Sequence, residues 1–210
     1  MSRAEEIRCK VLVVGVGGQG VLTAARMLGE AARAAGLDVL VGQLHGMAQR
    51  GGSVESSVLI GPYHSAFIGP GEADVVLGLE PLETKRAVEK ISPRTTVVFD
   101  RSRIVPFILT RLGREYPEVE SIEQELRSVA NQVWSVDGRQ AAEQAGDVRA
   151  LDMVMLGTLP PLDVLPFGED VLLSAIEQCS PEPRREINCS AFRLGAGLVQ
   201  MNPVPVSRQR

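Results

Sequence analysis

Short apolar runs alternate along the chain with stretches whose apolar residues recur every three or four positions. The first run, residues 10–16 (Lys-Val-Leu-Val-Val-Gly-Val), is rich in β-branched residues and predicts a buried parallel strand. Val21, Leu22, Ala25, Leu28 and Ala32 follow at helical spacing, and Gly36 is placed to end that helix. Residues 38–44 predict a second strand. From Ser53 to Ile60 the pattern alternates, with Val54, Val58 and Ile60 on one face, which predicts a half-exposed strand stopped by Gly61-Pro62. Residues 73–79 and 95–100 repeat the strand signal, and Pro81 suits the first turn of a helix after the former. Pro106 and Pro117 break the stretch 101–118, which predicts an irregular arm. A helix near 119–130, a strand at 132–136, a helix at 138–145 and two or three more helices over 150–200 complete the pattern.

Strands alternating with helices predict an α/β fold: a Rossmann-like, doubly wound, mostly parallel sheet with helices on both faces and C-terminal helices added. Residues 1–201 are expected to form a single domain, and 202–210 a flexible tail. Composition narrows the function classes. The hydrophobic fraction of 44% and charged fraction of 23% are those of ordinary soluble domains. A net charge of -4, without a long run of one sign, disfavours nucleic acid as a partner, and 4% aromatics leave no platform for base stacking. Cys9, Cys179 and Cys189 include no Cys-x-x-Cys pair, which fits a reducing, cytoplasmic setting. Three cysteines cannot supply the four thiolates of an iron–sulfur cluster within one chain. No apolar stretch approaches the roughly 20 residues needed to span a bilayer, and the first residues lack the apolar run of a secretory signal.

The sharpest motif is Gly15-Val16-Gly17-Gly18-Gln19-Gly20, set where the first strand turns into the first helix. Glycines there permit a tight turn, close approach of a ligand and close helix–sheet packing, while the helix N-terminus favours a phosphate. The same spacing also serves a tight turn that binds nothing. Ordinary NAD binding is disfavoured. A ribose-holding acid belongs about twenty positions on, at the end of the second strand; that strand ends Val41-Gly42-Gln43-Leu44, and Asp38 lies at its other end.

A second cluster, His45-Gly46-Met47-Ala48-Gln49-Arg50-Gly51-Gly52-Ser53, follows the second strand. Loops at the carboxyl ends of strands form the ligand crevice of open α/β sheets, so this cluster is expected beside the first glycine loop. Arg50 offers a bidentate fork for carboxylate or phosphate, or forms a surface ion pair. Gly51-Gly52 exposes backbone donors. His45 is a candidate proton donor to a carbonyl group, or a structural histidine. Met47 suits packing more than chemistry. Glu80, just before Pro81, either faces the same crevice or caps the next helix. No nucleophile–base pair or metal-ligand spacing is visible, and His64 is the one other histidine.

At the two loops together the sequence resembles the small (beta) subunit of indolepyruvate:ferredoxin oxidoreductase, and also the gamma subunit or domain of pyruvate- and 2-oxoglutarate-type enzymes. In the latter the His-Gly-Met portion is usually missing, which favours the indolepyruvate branch. The similarity continues through Ala73-Asp74-Val75-Val76-Leu77, Glu80-Pro81-Leu82-Glu83, Glu115-Tyr116-Pro117, Met153-Val154-Met155-Leu156-Gly157, Asn188 and Ala191-Phe192, from residue 9 to about 197. Asp152 departs from the asparagine expected before the Met-Val-Met segment, and residues 101–114 match loosely.

The resemblance implies a division of labour. A large partner subunit carries thiamine diphosphate with magnesium and 4Fe-4S clusters. Together the subunits oxidatively decarboxylate an aryl 2-oxoacid to an acyl-CoA and pass electrons to ferredoxin. This chain, without cluster cysteines or a thiamine-binding Gly-Asp-Gly…Asn pattern, is expected to carry no intrinsic cofactor, to be inactive alone, and to homodimerise within a hetero-oligomer. By the same resemblance, Gly15, Gly17, Gly18, Gln19, Gly20, Gln49, Arg50, Gly51, Gly52 and Ser53 are expected to contact coenzyme A or to close the active site, with His45 as the catalytic candidate. Two other readings stand beside this one: a nucleotide-binding adenylating enzyme of the ubiquitin-activating type, alike at the Gly-x-Gly-Gly-x-Gly loop alone, and a non-catalytic Rossmann ligand-sensing module.

Overall fold

A computed structural model describes residues 7–45, 52–105 and 115–200. Its centre is a six-stranded sheet in the order β2-β3-β1-β4-β5-β6. The strands are β1 (Cys9–Val16), β2 (Val39–His45), β3 (Ser53–Ile60), β4 (Val75–Gly78), β5 (Thr96–Asp100) and β6 (Gln132–Val136). β1, β4, β5 and β6 run parallel, and β3 lies antiparallel between β1 and β2. The expected α/β architecture therefore holds, as a mixed, mostly parallel sheet.

Successive side chains of β1 divide between two cores, as the period of a strand requires. Val11 and Val13 pack under α1 (Val21–Ala34), α4 (Gly138–Gln144), α5 (Leu151–Gly157), α6 (Glu169–Cys179) and α7 (Glu182–Gln200). Leu12 and Val14 face the opposite layer with Val76, Val97 and Phe99, covered by Ile122 and Leu126 of α3 (Val119–Val129) and by the turn after α2 (Pro81–Arg86). Both faces are covered, so the parallel strands read as continuous apolar runs.

The half-exposed reading of 53–60 is corrected. Every residue from Ser56 to Ile60 is buried. β3 is an interior strand, and the chain after it folds back across its second face. Ser57 Oγ donates to the Ala66 carbonyl, Ile68 packs with Leu59, and Lys90 pairs with Glu55. The alternation reflects one greasy and one polar but covered face.

The Met-Val-Met segment becomes α5, whose seven residues are all buried. A helix apolar all round belongs in the interior. It crosses α7 so closely that a Cβ on Gly195 would lie 2.8 Å from the Val154 carbonyl carbon, and one on Gly157 2.8 Å from that of Phe192. Only glycine fits either position.

Glu80 takes the capping role and extends it. Its Oε2 accepts from Glu83 N at 2.9 Å, closing the first turn of α2. Its Oε1 accepts from Ile104 N at 3.2 Å and from the Tyr116 hydroxyl, which in turn accepts from Leu82 N at 3.0 Å. The Glu80-Pro81-Leu82-Glu83 and Glu115-Tyr116-Pro117 segments therefore meet, and both ends of the 101–118 arm are tied to the sheet through one fully buried carboxyl. Burial pushes Glu80 above the usual carboxylate range despite these donors, and burial with the Glu80 hydrogen bond raises Tyr116 as well.

Two substitutions test this packing. Gly195→Ala is expected to lower stability by about 1–3 kcal/mol through overpacking; an unchanged denaturation midpoint would contradict the close crossing. Glu80→Ala leaves the amides of Glu83 and Ile104 and the Tyr116 hydroxyl without their acceptor. A cost on the order of 1–3 kcal/mol for each group that stays buried is expected in thermal melts, and wild-type melting would refute the staple.

Candidate functional site

The turn after β1 sits at the carboxyl ends of the parallel strands, where connections leave toward opposite faces of the sheet. Gln19 locks it there. The Gln19 side chain accepts from Val16 N at 2.7 Å and donates to the Leu79 carbonyl, at the end of β4, at 2.6 Å. Gly15 lies beneath this clamp, where a Cβ would meet Gln19 Oε1, Leu79 Cβ and Val21 Cγ2 at 3.0 Å each. Gly18 (φ 104°) and Gly20 (φ 90°) take the left-handed backbone that glycine alone adopts without strain.

Gly20 is the N-cap of α1, with no side-chain cap and no acid in the first turn. The first amides of a helix lack intrahelical partners, so this end suits an anion. Gly18 is exposed, and a Cβ there would meet nothing within 4 Å, so a ligand can approach its backbone directly.

The two expected loops lie at the same end of the sheet. Gly17 N donates to the Gly52 carbonyl at 2.8 Å, and Ser53 and Val54 pair with Val16 and Gly15 at the start of β3. The His45 backbone ends β2 opposite Val54. Gln49, Arg50 and Gly51, with Gly46, Met47 and Ala48, lie outside the described residues.

The glycine turn forms a ridge between two hollows. One, of about 320 Å³, is mostly apolar and is lined by Val16, Val21, Leu22 and Val54 beside Gly17, Gly18 and Gly20. The other, of about 160 Å³, lies toward the ends of β5 and β6 and is lined by Gly18, Gln19, Ser102, Ile104, Arg139, Val148, Arg149 and Leu151. Arg149 spends its fork on Asp147, with Nη2 to Oδ2 at 2.7 Å and Nε to Oδ2 at 3.0 Å. Arg139 is freer: its guanidinium meets Glu143 once, at 3.3 Å, on an exposed helix face. The Gln19 amide is taken up by the Val16 carbonyl at 3.0 Å; the backbone donors of Gly18 and Gly20 and the Arg139 guanidinium are a donor set that fits phosphate. A wider groove of about 490 Å³ runs between α1 and β2 along the flank of the helix and shares Leu22 and Thr23 with the apolar hollow.

Neither Arg139 nor Arg149 stood out in the sequence. Arg139 had one available signal, its place just after β6 at the ligand end of the sheet. Arg149 reaches the recess from a 3-10 turn (Val148–Ala150) that no motif marks. Asp152, singled out only as a departure, lies beneath the turn. It is 5% exposed, and a Cβ on Gly20 would fall 2.5 Å from its carboxyl carbon. Burial pushes its carboxyl up to about 7.

The cysteines stand apart. Cys9 is buried, with its thiol pushed up to about 12 by burial, which leaves it a poor nucleophile. Among the described residues no group of three or more His, Cys, Asp and Glu side chains is arranged to hold a metal ion. No helix among them is long and apolar enough to cross a membrane.

Comparison with known proteins gives the site its context. The chain is 39% identical over 189 residues to "Indolepyruvate oxidoreductase subunit IorB" of Archaeoglobus fulgidus, covering 90% of this chain and 94% of that subunit. It is 38% identical over 187 residues to the subunit of the same name from Methanothermobacter thermautotrophicus, covering 89% and 95%. Among solved structures, the 2-oxoglutarate:ferredoxin oxidoreductase of Magnetococcus marinus, with 2-oxoglutarate, coenzyme A and succinyl-CoA bound, shares the fold at a TM-score of 0.69 and 21% identity. The alignment covers 94% of this chain and 32% of that polypeptide. Residues 10–198 match the family described as pyruvate ferredoxin/flavodoxin oxidoreductase. With nearly its whole length matched, the chain belongs to the pyruvate ferredoxin/flavodoxin oxidoreductase family.

Proposed function

We propose that this chain is the small subunit of an indolepyruvate-type 2-oxoacid:ferredoxin oxidoreductase. The observation that carries this reading is the end-to-end similarity, at 38% and 39% identity, to two indolepyruvate oxidoreductase subunits. The adenylating reading rested on the glycine loop alone, whereas the family match runs from residue 10 to residue 198.

In this reading the catalytic centre belongs to a large partner, whose thiamine diphosphate, with magnesium, supplies the decarboxylation chemistry and whose 4Fe-4S clusters carry electrons to ferredoxin. The small subunit supplies binding and closure. The amides of Gly18 and Gly20 and the guanidinium of Arg139 hold the phosphates of coenzyme A, and Gln19, whose own amide closes the turn on the Val16 carbonyl at 3.0 Å, keeps the turn rigid. The apolar hollow on the other side of the ridge, with Val16, Leu22 and Val54, suits an uncharged part of a ligand or a partner segment. Arg50, in the sequence between β2 and β3, adds a second charged contact in this reading, and His45 remains the candidate for proton transfer. Coenzyme A bound in the Magnetococcus marinus relative supports the choice of ligand. Homodimerisation within the hetero-oligomer and a cytoplasmic location belong to the same proposal.

Purified alone, the chain is expected to show no indolepyruvate oxidation, with activity appearing on addition of the large subunit; turnover by the isolated chain would refute the assignment. In the assembled enzyme Arg139→Ala is expected to raise the KM for coenzyme A about tenfold, the loss of one charge-assisted contact, with the KM for the 2-oxoacid unchanged. Equal effects on both substrates would remove Arg139 from the coenzyme site. Arg50→Ala is expected to lower activity of the complex more than it lowers melting temperature, and a folding defect with normal kinetics would leave Arg50 a structural residue.

A further inference from the structure

Asp152 has no place in the mechanism so far, yet it is the buried titratable group nearest the glycine turn. Its carboxyl is pressed against Gly20, the N-cap of α1, and its Oδ1 accepts from the Met153 amide at 3.0 Å. Leu151, the residue before it, lines the recess that holds Arg139 and Arg149. A carboxylate in this position and a phosphate on the Gly18 and Gly20 amides would be two negative charges on either side of one backbone turn.

We propose that Asp152 is a positioning residue that couples anion binding at the glycine turn to uptake of one proton, so that the site holds its phosphate ligand with Asp152 in the neutral acid form. The inference rests on the anion-binding reading of the turn given above.

The surroundings support the neutral form. The turn and the first turn of α1 (Val21–Ala24) carry no charged side chain, and β4 carries none. From β5 comes Asp100, itself buried and raised by burial, a like charge. From α4 come Arg139 and Glu143, which face each other. From the 3-10 turn and its cap come Arg149 and Asp147, locked together. From α7 comes Arg184, the one cation that lowers the Asp152 carboxyl, with its Nη1 turned to Asp147, at 2.9 Å, rather than to Asp152. Among the described residues no ion pair is made to Asp152, and burial outweighs the Arg184 charge and raises its carboxyl. A phosphate arriving on the turn adds negative charge and raises it further.

The sign of the stability effect follows from the same shift. The folded carboxyl, at about 7, holds its proton more tightly than the unfolded chain, whose value is 3.8. Stability from this group is full below the ordinary carboxylate range and is lost as pH rises through about 7. Asp152→Asn is therefore expected to melt higher than wild type at pH 8, with the difference shrinking toward acid.

Calorimetric titration of the assembled enzyme with coenzyme A, and with inorganic pyrophosphate as an anion lacking the pantetheine arm, tests the coupling. Measurements run from pH 6 to 9 in buffers of different ionisation enthalpy. Wild type is expected to take up one more proton per ligand than Asp152→Asn near pH 8. Its affinity is expected to fall with a limiting slope of about tenfold per pH unit above neutrality, as one-proton linkage allows, and the variant to lose that slope. The same slope in both proteins overturns the proposal. If the variant does not assemble, carbon-detected NMR of the Asp152 carboxyl in the full wild-type chain decides: its titration midpoint is expected to rise on adding pyrophosphate, and a fixed midpoint with pyrophosphate bound overturns the coupling. No binding of either anion at any pH sinks the crevice reading itself, and the inference with it. Binding with an unchanged pH slope sinks the inference alone.

Discussion

The ligand end of this protein depends on a turn built of backbone. Between β1 and α1 the chain reverses in a space where side chains do not fit. Below Gly15 lies the Gln19 clamp, and against Gly20 lies Asp152, while above Gly18 there is open solvent. Gln19 supplies what the glycines lack, a fixed geometry, by bonding both the start of the turn and the end of the neighbouring strand. Glycine is costly in the unfolded chain because of its freedom. The clamp restricts that freedom locally, while the Gly17 and Gln19 amides are taken up by the Gly52 and Val16 carbonyls. Any larger residue at position 15 or 20 would push the turn off the sheet and away from the recess.

The same end of the sheet gathers pieces from five parts of the chain. β1 gives the turn, β3 brings Gly52 against it, β4 receives Gln19 and carries Glu80, and β5 and β6 lead into Ser102 and Arg139. The parallel arrangement makes this convergence automatic, since every carboxyl end lies on one side. Glu80 then ties the arm after β5 to the same rim. Below the rim, α5 and α7 cross at contact distance and hold Asp152 in place, so the deepest packing and the base of the site are one structure.

Much of this was legible in the sequence where a local pattern maps onto a local structure. The apolar runs of β1, β4 and β5 announce buried parallel strands, and the glycine spacing announces the turn. The covering of β3 was not legible. The chain from Gly61 to Ala73 that covers its second face is irregular and carries no periodicity, so nothing in the pattern showed that Ser57 on that face is buried. Arg139, Arg149 and Asp152 were invisible as site residues for another reason. They reach the turn from more than a hundred residues away, and only the packing of α5 beside α1, and of α4 against α5, brings them there. The alternatives for Glu80 were also beyond sequence, because its partners Ile104 and Tyr116 lie across the arm.

In the proposed function a partner performs the redox chemistry and the small subunit presents a rigid, anion-friendly ridge to coenzyme A. An experimental structure of the assembled oxidoreductase with coenzyme A tests that division most directly. Phosphate oxygens are expected within hydrogen-bonding distance of the Gly18 and Gly20 amides and the Arg139 guanidinium. Coenzyme A held wholly by the large subunit, with the glycine turn facing solvent or buried against protein, would contradict it.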